Sequence, residues 1–205
     1  MNDFLSPVER YYSDKLAQYG AQPQGVDWNG PEGQAKRFEQ LCKLLPSEGR
    51  FSVADVGCGY AALLDYLTGR FDGVDYVGLD ISDAMITAAA ELHPLANNAR
   101  YVVGTRPEQA VDFAVASGIF NVKLKADPPS WHAYIVETLE SMNGFTTRGF
   151  SFNCLTGYSD AHRMRSDLYY ADPCELFDLC KRRFARNVAL LHDYDLYEFT
   201  IIVRK

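Results

Sequence analysis

Short apolar runs alternate with segments of helical spacing along most of the chain, which predicts strands and helices in turn. The segment QAKRFEQLCKLL, for example, carries apolar residues at Phe38, Leu41 and Leu45, the spacing of one helix face. The predicted strands are residues 51–56, 75–80, 100–103, 112–117, 148–154, 187–194 and 196–204. The predicted helices are residues 7–19, 34–45, 61–70, 83–92, 128–142 and 173–184, and a further helix is predicted to begin at 107–110.

The last two strand-like runs are separated by a very short connection. Such a connection permits an antiparallel hairpin and excludes a parallel crossover, which needs a dozen or more residues. The alternation of strands and helices before it is typical of an α/β fold with a parallel sheet. The pattern therefore predicts a mostly parallel sheet that ends in an antiparallel hairpin.

Length and charge narrow the class of protein. The 205 residues, 47% of them hydrophobic, suit one domain with a full core, and we expect a single domain over 1–205. The formal net charge of −7 argues against a polyanionic partner, so nucleic acid is not expected. The five cysteines are scattered without a C-x-x-C pair, which favours reduced thiols and a cytoplasmic protein.

Targeting segments and metal sites are not expected either. The N-terminus MNDFLSPVERYY has no signal-peptide apolar core, and no apolar run approaches the roughly 20 residues of a membrane span, so no membrane association is expected. The spacing of His, Cys and Asp suggests no structural zinc site, and no metal ligands are predicted. The oligomeric state does not follow from these patterns.

The candidate ligand-binding residues lie at the ends of two predicted strands. Asp55 ends the strand 51–56, and Gly57 and Gly59 follow it before a helix-prone run, an arrangement with which α/β folds open a nucleotide site. The glycines leave no side chain at the turn, so backbone N–H groups could approach a ligand closely. A carboxylate at Asp55 suits a cationic ligand better than a pyrophosphate. Asp80, roughly 20 residues past the glycine turn, is placed to accept hydrogen bonds from ribose hydroxyls of NAD, FAD or S-adenosylmethionine alike.

The segment from Asp55 to Ala61 resembles the first motif of class I S-adenosylmethionine (SAM) methyltransferases, [D/E]-x-G-x-G-x-G, with Ala61 in place of the third glycine. The resemblance implies an α/β, Rossmann-like, mostly parallel seven-stranded sheet with an antiparallel C-terminal hairpin and helices on both faces. It divides the chain into an N-terminal helical lid (1–50) and a SAM-binding core (51–205). The cofactor contacts that it implies are Asp55 at the ammonium, Gly57 and Gly59 at the methionine part, Asp80 at the ribose, Ile81 and Thr105 at the adenine, Ser117 beside the methyl, Arg37 at the carboxylate and Tyr11 on the lid helix.

The acceptor side is predicted from position and tyrosine content. Residues 156–171 follow the fifth strand and would cover the acceptor, with Tyr158 and Tyr169 as contacts and Phe120 at the lip of the fourth strand. The sequence Asp127-Pro128-Pro129 resembles the target-nitrogen motif of amino-group methyltransferases, but it comes about ten residues too late. A helix N-terminus with proline in its first turn is the favoured interpretation.

These expectations point to a SAM-dependent methyltransferase that moves a methyl group to a small-molecule acceptor by direct displacement, without a metal. No general base is evident, and the acceptor atom stays open. Two alternatives remain at this point: a non-catalytic SAM-binding protein and an NAD-dependent oxidoreductase.

Overall fold

The structure is a computed structural model that describes residues 4–28 and 30–205. Its α-helices are α1 (Leu5–Tyr19), α2 (Pro31–Cys42), α3 (Ala62–Thr68), α4 (Asp83–Leu92), α5 (Pro128–Phe145) and α6 (Pro173–Arg183). Its strands are β1 (Phe51–Val56), β2 (Val74–Asp80), β3 (Ala99–Val103), β4 (Val111–Ala116), β5 (Thr146–Leu155), β6 (Asn187–Leu191) and β7 (Glu198–Arg204). Two short 3₁₀ turns lie at Pro23–Val26 and Ala161–Arg163.

The seven strands form one sheet in the order β3-β2-β1-β4-β5-β7-β6. The first five strands pair in parallel, and β7 runs antiparallel between β5 and β6. The predicted α/β fold with an antiparallel C-terminal hairpin is therefore confirmed. The strand order changes direction between β1 and β4. At such a switch point open α/β sheets bind ligands, at the carboxyl ends of the strands.

Helices cover both faces of the sheet, because side chains alternate between the faces along each strand. One face packs with α5 and α6, through residues such as Trp131, Ile135 and Leu176, onto Ala54 and Val56 of β1. On the other face, residues of α2, α3 and α4 pack against Phe51 and Val53. Asp55 shares this second face, where it lies buried at the end of the strand.

Local capping sets where several helices begin. The Ser82 hydroxyl accepts a hydrogen bond from Met85 N at 3.2 Å and caps the N-terminus of α4. Asp127 caps α5 in the same way, accepting from Ser130 N at 3.0 Å, with proline in the first turn. The Asp-Pro-Pro segment is thus a helix N-terminus, as its position indicated.

Two details differ from the predicted elements. No helix forms at 107–110, because seven residues must carry the chain from the end of β3 across two strands to the start of β4. Extended chain covers about 3.3 Å per residue, whereas a helix covers about 1.5 Å, so a helical turn there would leave the connection too short. The hairpin link is also longer than predicted, since β6 ends at Leu191 and residues 192–197 form the connection.

Candidate active site

A pocket with about 970 Å³ of empty space, open mouth included, lies over the carboxyl ends of β1, β2 and β4. Its floor is made by the residues that follow those strands, and its cover by the N-terminal segment and α5. The residues that line it are Leu5, Val8, Glu9, Tyr12, Val26, Trp28, Gln34, Phe38, Asp55, Val56, Gly57, Cys58, Gly59, Tyr60, Ala62, Leu63, Asp80, Ile81, Met85, Gly104, Thr105, Ser117, Gly118, Ile119 and Tyr134.

The glycine turn after β1 supplies space rather than free donors. The N–H groups of Gly57 and Cys58 both donate to the Leu79 carbonyl, at 2.7 and 2.9 Å, and Gly59 N donates to Asp80. The expected approach of these N–H groups to a ligand is therefore not what the turn provides. Gly57 has φ +72, and a Cβ there would lie 2.2 Å from Ile119 Cγ2, so any side chain would push the β4 turn away from the pocket.

Asp80 at the end of β2 is held by the turns around it. Its Oδ2 accepts from Gly59 N and its Oδ1 from Ser82 N, both at 2.9 Å. Burial nevertheless raises the pKa of Asp80 above its ordinary value. These two donors fix the carboxylate at the pocket wall, where its remaining acceptor capacity faces the ligand space.

Asp55 at the end of β1 is the more deeply buried acid, at 3% exposure. Its Oδ2 accepts from the Tyr76 hydroxyl at 2.7 Å. Burial raises the pKa of Asp55 to about 7, against the opposing effect of the Tyr76 hydrogen bond and with a smaller contribution from Asp80. A cationic group in the pocket would favour the ionised form of this acid.

The third strand end on the floor carries a polar group without a partner. Ser117 Oγ is buried and makes no hydrogen bond within the part of the chain that the structure describes. Ser117 lines the pocket, and a ligand polar group would satisfy this hydroxyl. Ile81 and Thr105 follow β2 and β3 and line the opposite side of the floor.

The cover is held down by α1 and the 3₁₀ turn that follows it. Asp27 accepts from Tyr11 Oη and from Lys15 Nζ, each at 2.8 Å, and Ser13 Oγ lies 2.8 Å from Ser82 Oγ. These contacts tie α1 to its own turn and to the start of α4. The face of α1 between these contacts carries Leu5, Val8, Glu9 and Tyr12 to the pocket.

Comparison with known proteins agrees with this architecture. A family model described as a methyltransferase domain matches residues 54–145. The Mycobacterium tuberculosis protein Rv1506c, which is named as a methyltransferase, is 58% identical over 163 residues, covering 80% of this chain and 98% of the relative. The chain belongs to the methyltransferase family.

Solved structures share the fold of this methyltransferase at low sequence identity. Magnesium protoporphyrin IX methyltransferase from Synechocystis, with bound SAM, superposes with a TM-score of 0.66 at 13% identity and covers 100% of this chain and 98% of that one. The N-methyltransferase NodS from Bradyrhizobium japonicum, in complex with S-adenosylhomocysteine (SAH), gives 0.68 at 14%, over 96% of this chain and 97% of that one. These neighbours establish the fold.

The structure brings most of the predicted cofactor residues of the methyltransferase together. The seven that line the pocket are Asp55, Gly57, Gly59, Asp80, Ile81, Thr105 and Ser117. Arg37 and Tyr11 do not line it. Arg37 forms a bidentate ion pair with Glu198, at 2.5 to 3.0 Å, and Tyr11 points to Asp27.

The three predicted acceptor residues lie outside the pocket lining. Phe120 is fully buried against Phe152 and Tyr134, so it is a core residue and not part of a lip. Tyr158 is 71% exposed and lies beside the His192 ring, with 6.0 Å between centroids. Tyr169 is half-buried, and its hydroxyl lies 3.3 Å from His132 Nδ1.

Several lining residues were not predicted as site residues, chiefly Leu5, Val8, Gln34 and Tyr134. The helical spacing of Leu5, Val8 and Tyr12 would have indicated one inward face of α1. Nothing local marks Tyr134, which lies in the middle of α5 and reaches the pocket through tertiary packing.

Two further observations bear on the chemistry. Within residues 4–28 and 30–205, no cluster of three or more His, Cys, Asp or Glu side chains is arranged to hold a metal ion. No helix in the same ranges has the length and apolar character needed to cross a membrane.

Proposed function

We propose that this methyltransferase binds SAM in the pocket over β1, β2 and β4 and transfers its methyl group to a small-molecule acceptor by direct displacement, without a metal. The observation that carries the proposal is the pair of carboxylates, Asp55 and Asp80, fixed at adjacent strand ends on either side of a glycine turn. This arrangement separates a cationic subsite from a ribose subsite.

The residues present fit such a ligand. Asp80 has acceptor capacity for ribose hydroxyls beside the apolar Ile81 and the hydroxyl of Thr105. Asp55 offers a buried carboxylate to the ammonium group, and Ser117 offers an unsatisfied hydroxyl. Gln34 and Tyr60, which share a 3.2 Å hydrogen bond, add neutral polar groups to the wall.

Bound SAM would supply an electrophilic sulfonium methyl for displacement by the acceptor atom. The protein's contribution is to align the two reactants and to exclude water, which is where much of the rate of such a reaction arises. Val8, Tyr12 and Trp28 close the pocket from above, so the acceptor space is enclosed and partly apolar. No residue of the lining has to hold a proton for this step unless the acceptor must lose one early.

The cover over the pocket supports a small acceptor. Helix α1 lies over the strand ends, and the net charge of −7 opposes a nucleic acid acceptor. An N-terminal helical cover and a core within one domain are consistent with this assignment.

Calorimetry with SAH, SAM and NAD tests the donor assignment. SAH and SAM should bind, and SAH at 100 times its dissociation constant should stabilise the protein by about 2.7 kcal/mol, whereas NAD should have no effect. The substitution Asp80→Ala should weaken SAH binding by about 1.5–3 kcal/mol, the range for a hydrogen bond to a charged group. Asp75→Ala, at the other end of the same strand, is the matched control and should bind SAH normally.

Binding of NAD without SAH would contradict the proposal and favour an oxidoreductase. Binding of SAH without transfer of labelled methyl from SAM to any component of a small-molecule extract would favour the non-catalytic SAM-binding alternative. Normal SAH affinity in Asp80→Ala would remove this residue from the ribose subsite.

A further inference from the structure

Five residues beside the pocket form a closed circuit of contacts, which we call the Arg37 network: Trp28, Arg37, Gly118, Asn153 and Glu198. Arg37 pairs with Glu198 through both Nε and Nη2, at 2.5 to 3.0 Å. Glu198 Oε2 accepts from Asn153 Nδ2 at 2.5 Å, and Asn153 Oδ1 accepts from Gly118 N at 2.8 Å.

Trp28 closes the Arg37 network on the side of the pocket. A Cβ built on Gly118 would lie 2.4 Å from Cη2 and Cζ2 of Trp28, so the indole packs directly on this glycine. The Arg37 guanidinium in turn lies 3.9 Å from the centroid of the indole ring. Trp28 is therefore held between a glycine of the floor and a cation of the cover.

The burial of its charged groups makes the Arg37 network costly in desolvation free energy. Glu198 and Asn153 are 2% and 0% exposed, and the side chain of Arg37 is 12% exposed. Buried ion pairs are weak evidence for stability, because desolvation of both charges offsets their attraction. Here both carboxylate oxygens of Glu198 accept hydrogen bonds from side chains, which suggests that the Arg37 network sets position.

Only two members of the Arg37 network, Trp28 and Gly118, line the pocket. Arg37, Asn153 and Glu198 stand behind them, on α2, β5 and β7. Gly118 also adjoins Ile119, whose side chain presses on Gly57 of the glycine turn. Displacement of Trp28 or of the turn at 118 would thus change the floor and the cover of the pocket together.

We infer that Arg37, Asn153 and Glu198 are positioning residues for the methyl donor, which act by fixing Trp28 and the turn after β4 and not by touching the ligand. The inference rests on the proposed function, since it takes the pocket as the SAM site. It replaces the expected contact of Arg37 with the SAM carboxylate by a contact with Trp28.

Two variants distinguish a positioning role of the Arg37 network from a role in protein stability alone. Arg37→Lys keeps the charge opposite Glu198 but loses the planar group that stacks on the indole. The double variant Arg37→Met with Glu198→Met removes both charges together, which avoids an uncompensated buried charge and should fold. The control is Arg148→Met, because Arg148 lies 4.5 Å over the Phe113 ring and is not in the pocket lining.

The probe is SAH, measured by calorimetry and by tryptophan fluorescence at a temperature where melting curves show each protein to be fully folded. The chain has two tryptophans, Trp28 and the buried Trp131, so a Trp28→Phe variant gives the background emission. We expect at least fivefold weaker SAH binding in Arg37→Lys and at least tenfold in the double variant, the latter about 1.4 kcal/mol. The SAH-induced change in Trp28 emission should shrink in both, while Arg148→Met behaves as wild type.

Wild-type SAH affinity and emission in both variants would overturn the inference and leave the proposed function intact. A loss of affinity accompanied in both by loss of folded protein would assign the network to stability alone and also overturn it. Failure of the wild-type protein itself to bind SAH would instead contradict the proposed function.

Discussion

The N-terminal segment (residues 5–42) and the loop 156–171 are both rich in tyrosine and both adjoin the carboxyl ends of the strands, yet only the first covers the pocket. The N-terminal segment contributes residues from α1, from Val26 and Trp28 and from α2 to the lining, and the loop contributes none. Tyrosine content and position along the chain are therefore insufficient to identify a cover.

Buried anchors account for the difference. Val8 of α1 is 6% exposed, and Phe4 packs on Trp131 and Tyr134 of α5, which draws the N-terminal segment over the sheet. The loop instead docks on the segment after β4, where Tyr169 N donates to Asn121 O at 2.8 Å and Leu168 forms a bridge with Val122. Its backbone groups are satisfied there, beside the pocket rather than above it.

The largest expected effect comes from Gly118, a glycine that packs against the N-terminal segment. In Gly118→Ala the new Cβ would meet the Trp28 indole at 2.4 Å, and the residue has φ +77. Backbone strain of about 1–2 kcal/mol and overpacking of about 1–3 kcal/mol should lower the free energy of unfolding by about 2–5 kcal/mol. Chemical denaturation measures this change, and calorimetry should show weakened SAH binding.

Gly157→Ala in the loop is the matched control. Its nearest neighbour would be Ala171 O at 3.4 Å, which is ordinary van der Waals contact. The free energy of unfolding should stay within about 0.5 kcal/mol of wild type, and SAH affinity should not change. Equal destabilisation by the two substitutions would mean that the indole does not press on Gly118.

The floor of the pocket could be predicted from the sequence because its determinants are local. An apolar run that ends in Asp55 and then Gly57 specifies strand, acid and turn within five residues, and the same holds for Asp80 after β2. Parallel strands bring their carboxyl ends to one edge, so local elements suffice to place the floor. The hydrogen-bond partners of the Gly57 and Gly59 N–H groups were not predictable in this way, since Leu79 O and the Asp80 carboxylate come from the neighbouring strand.

The cover depends on packing between distant parts of the chain, which the sequence pattern does not encode. Arg37 and Glu198 are 161 residues apart, and no local feature connects them. Phe120 was assigned to the acceptor lip by its place after β4, but its side chain turns into the core beneath α5. An aromatic residue in a turn is compatible with either direction, and tertiary packing decides between them.

The pocket floor and the loop 156–171 differ in the titration of their acids. Burial raises the pKa of Asp55 to about 7, whereas the hydrogen bond from Arg165 lowers the pKa of Asp167 in the loop. A cationic ligand group should favour ionised Asp55, so ligand binding below pH 7 should release a proton. SAH affinity should therefore fall roughly tenfold from pH 8 to pH 6, equivalent to about one pKa unit or 1.4 kcal/mol.

The unliganded protein should show the opposite trend. Because the folded-state pKa of Asp55 is raised, its contribution to stability is fully present below the unfolded value of about 3.9 and is lost as the pH rises through 7. Asp55→Asn should flatten both profiles between pH 6 and pH 8, and Asp167→Asn should leave them unchanged in that window. Calorimetry in two buffers of different ionisation enthalpy measures the released proton, and its absence would argue against an ammonium group at Asp55.

The smallest expected effect is the difference in SAH affinity between a tyrosine variant in the N-terminal segment and one in the loop 156–171. Tyr12 lines the pocket on α1, and its replacement by alanine removes an aromatic wall, which should cost about 1 kcal/mol of SAH binding, or roughly fivefold. Tyr158 in the loop is 71% exposed, so Tyr158→Ala should leave SAH affinity within about twofold, or 0.4 kcal/mol. Calorimetry on both variants in one buffer is sufficient. Should Tyr158→Ala weaken SAH more than Tyr12→Ala does, the loop would have to move over the pocket when ligand binds, and the assignment of the cover to α1 would be wrong.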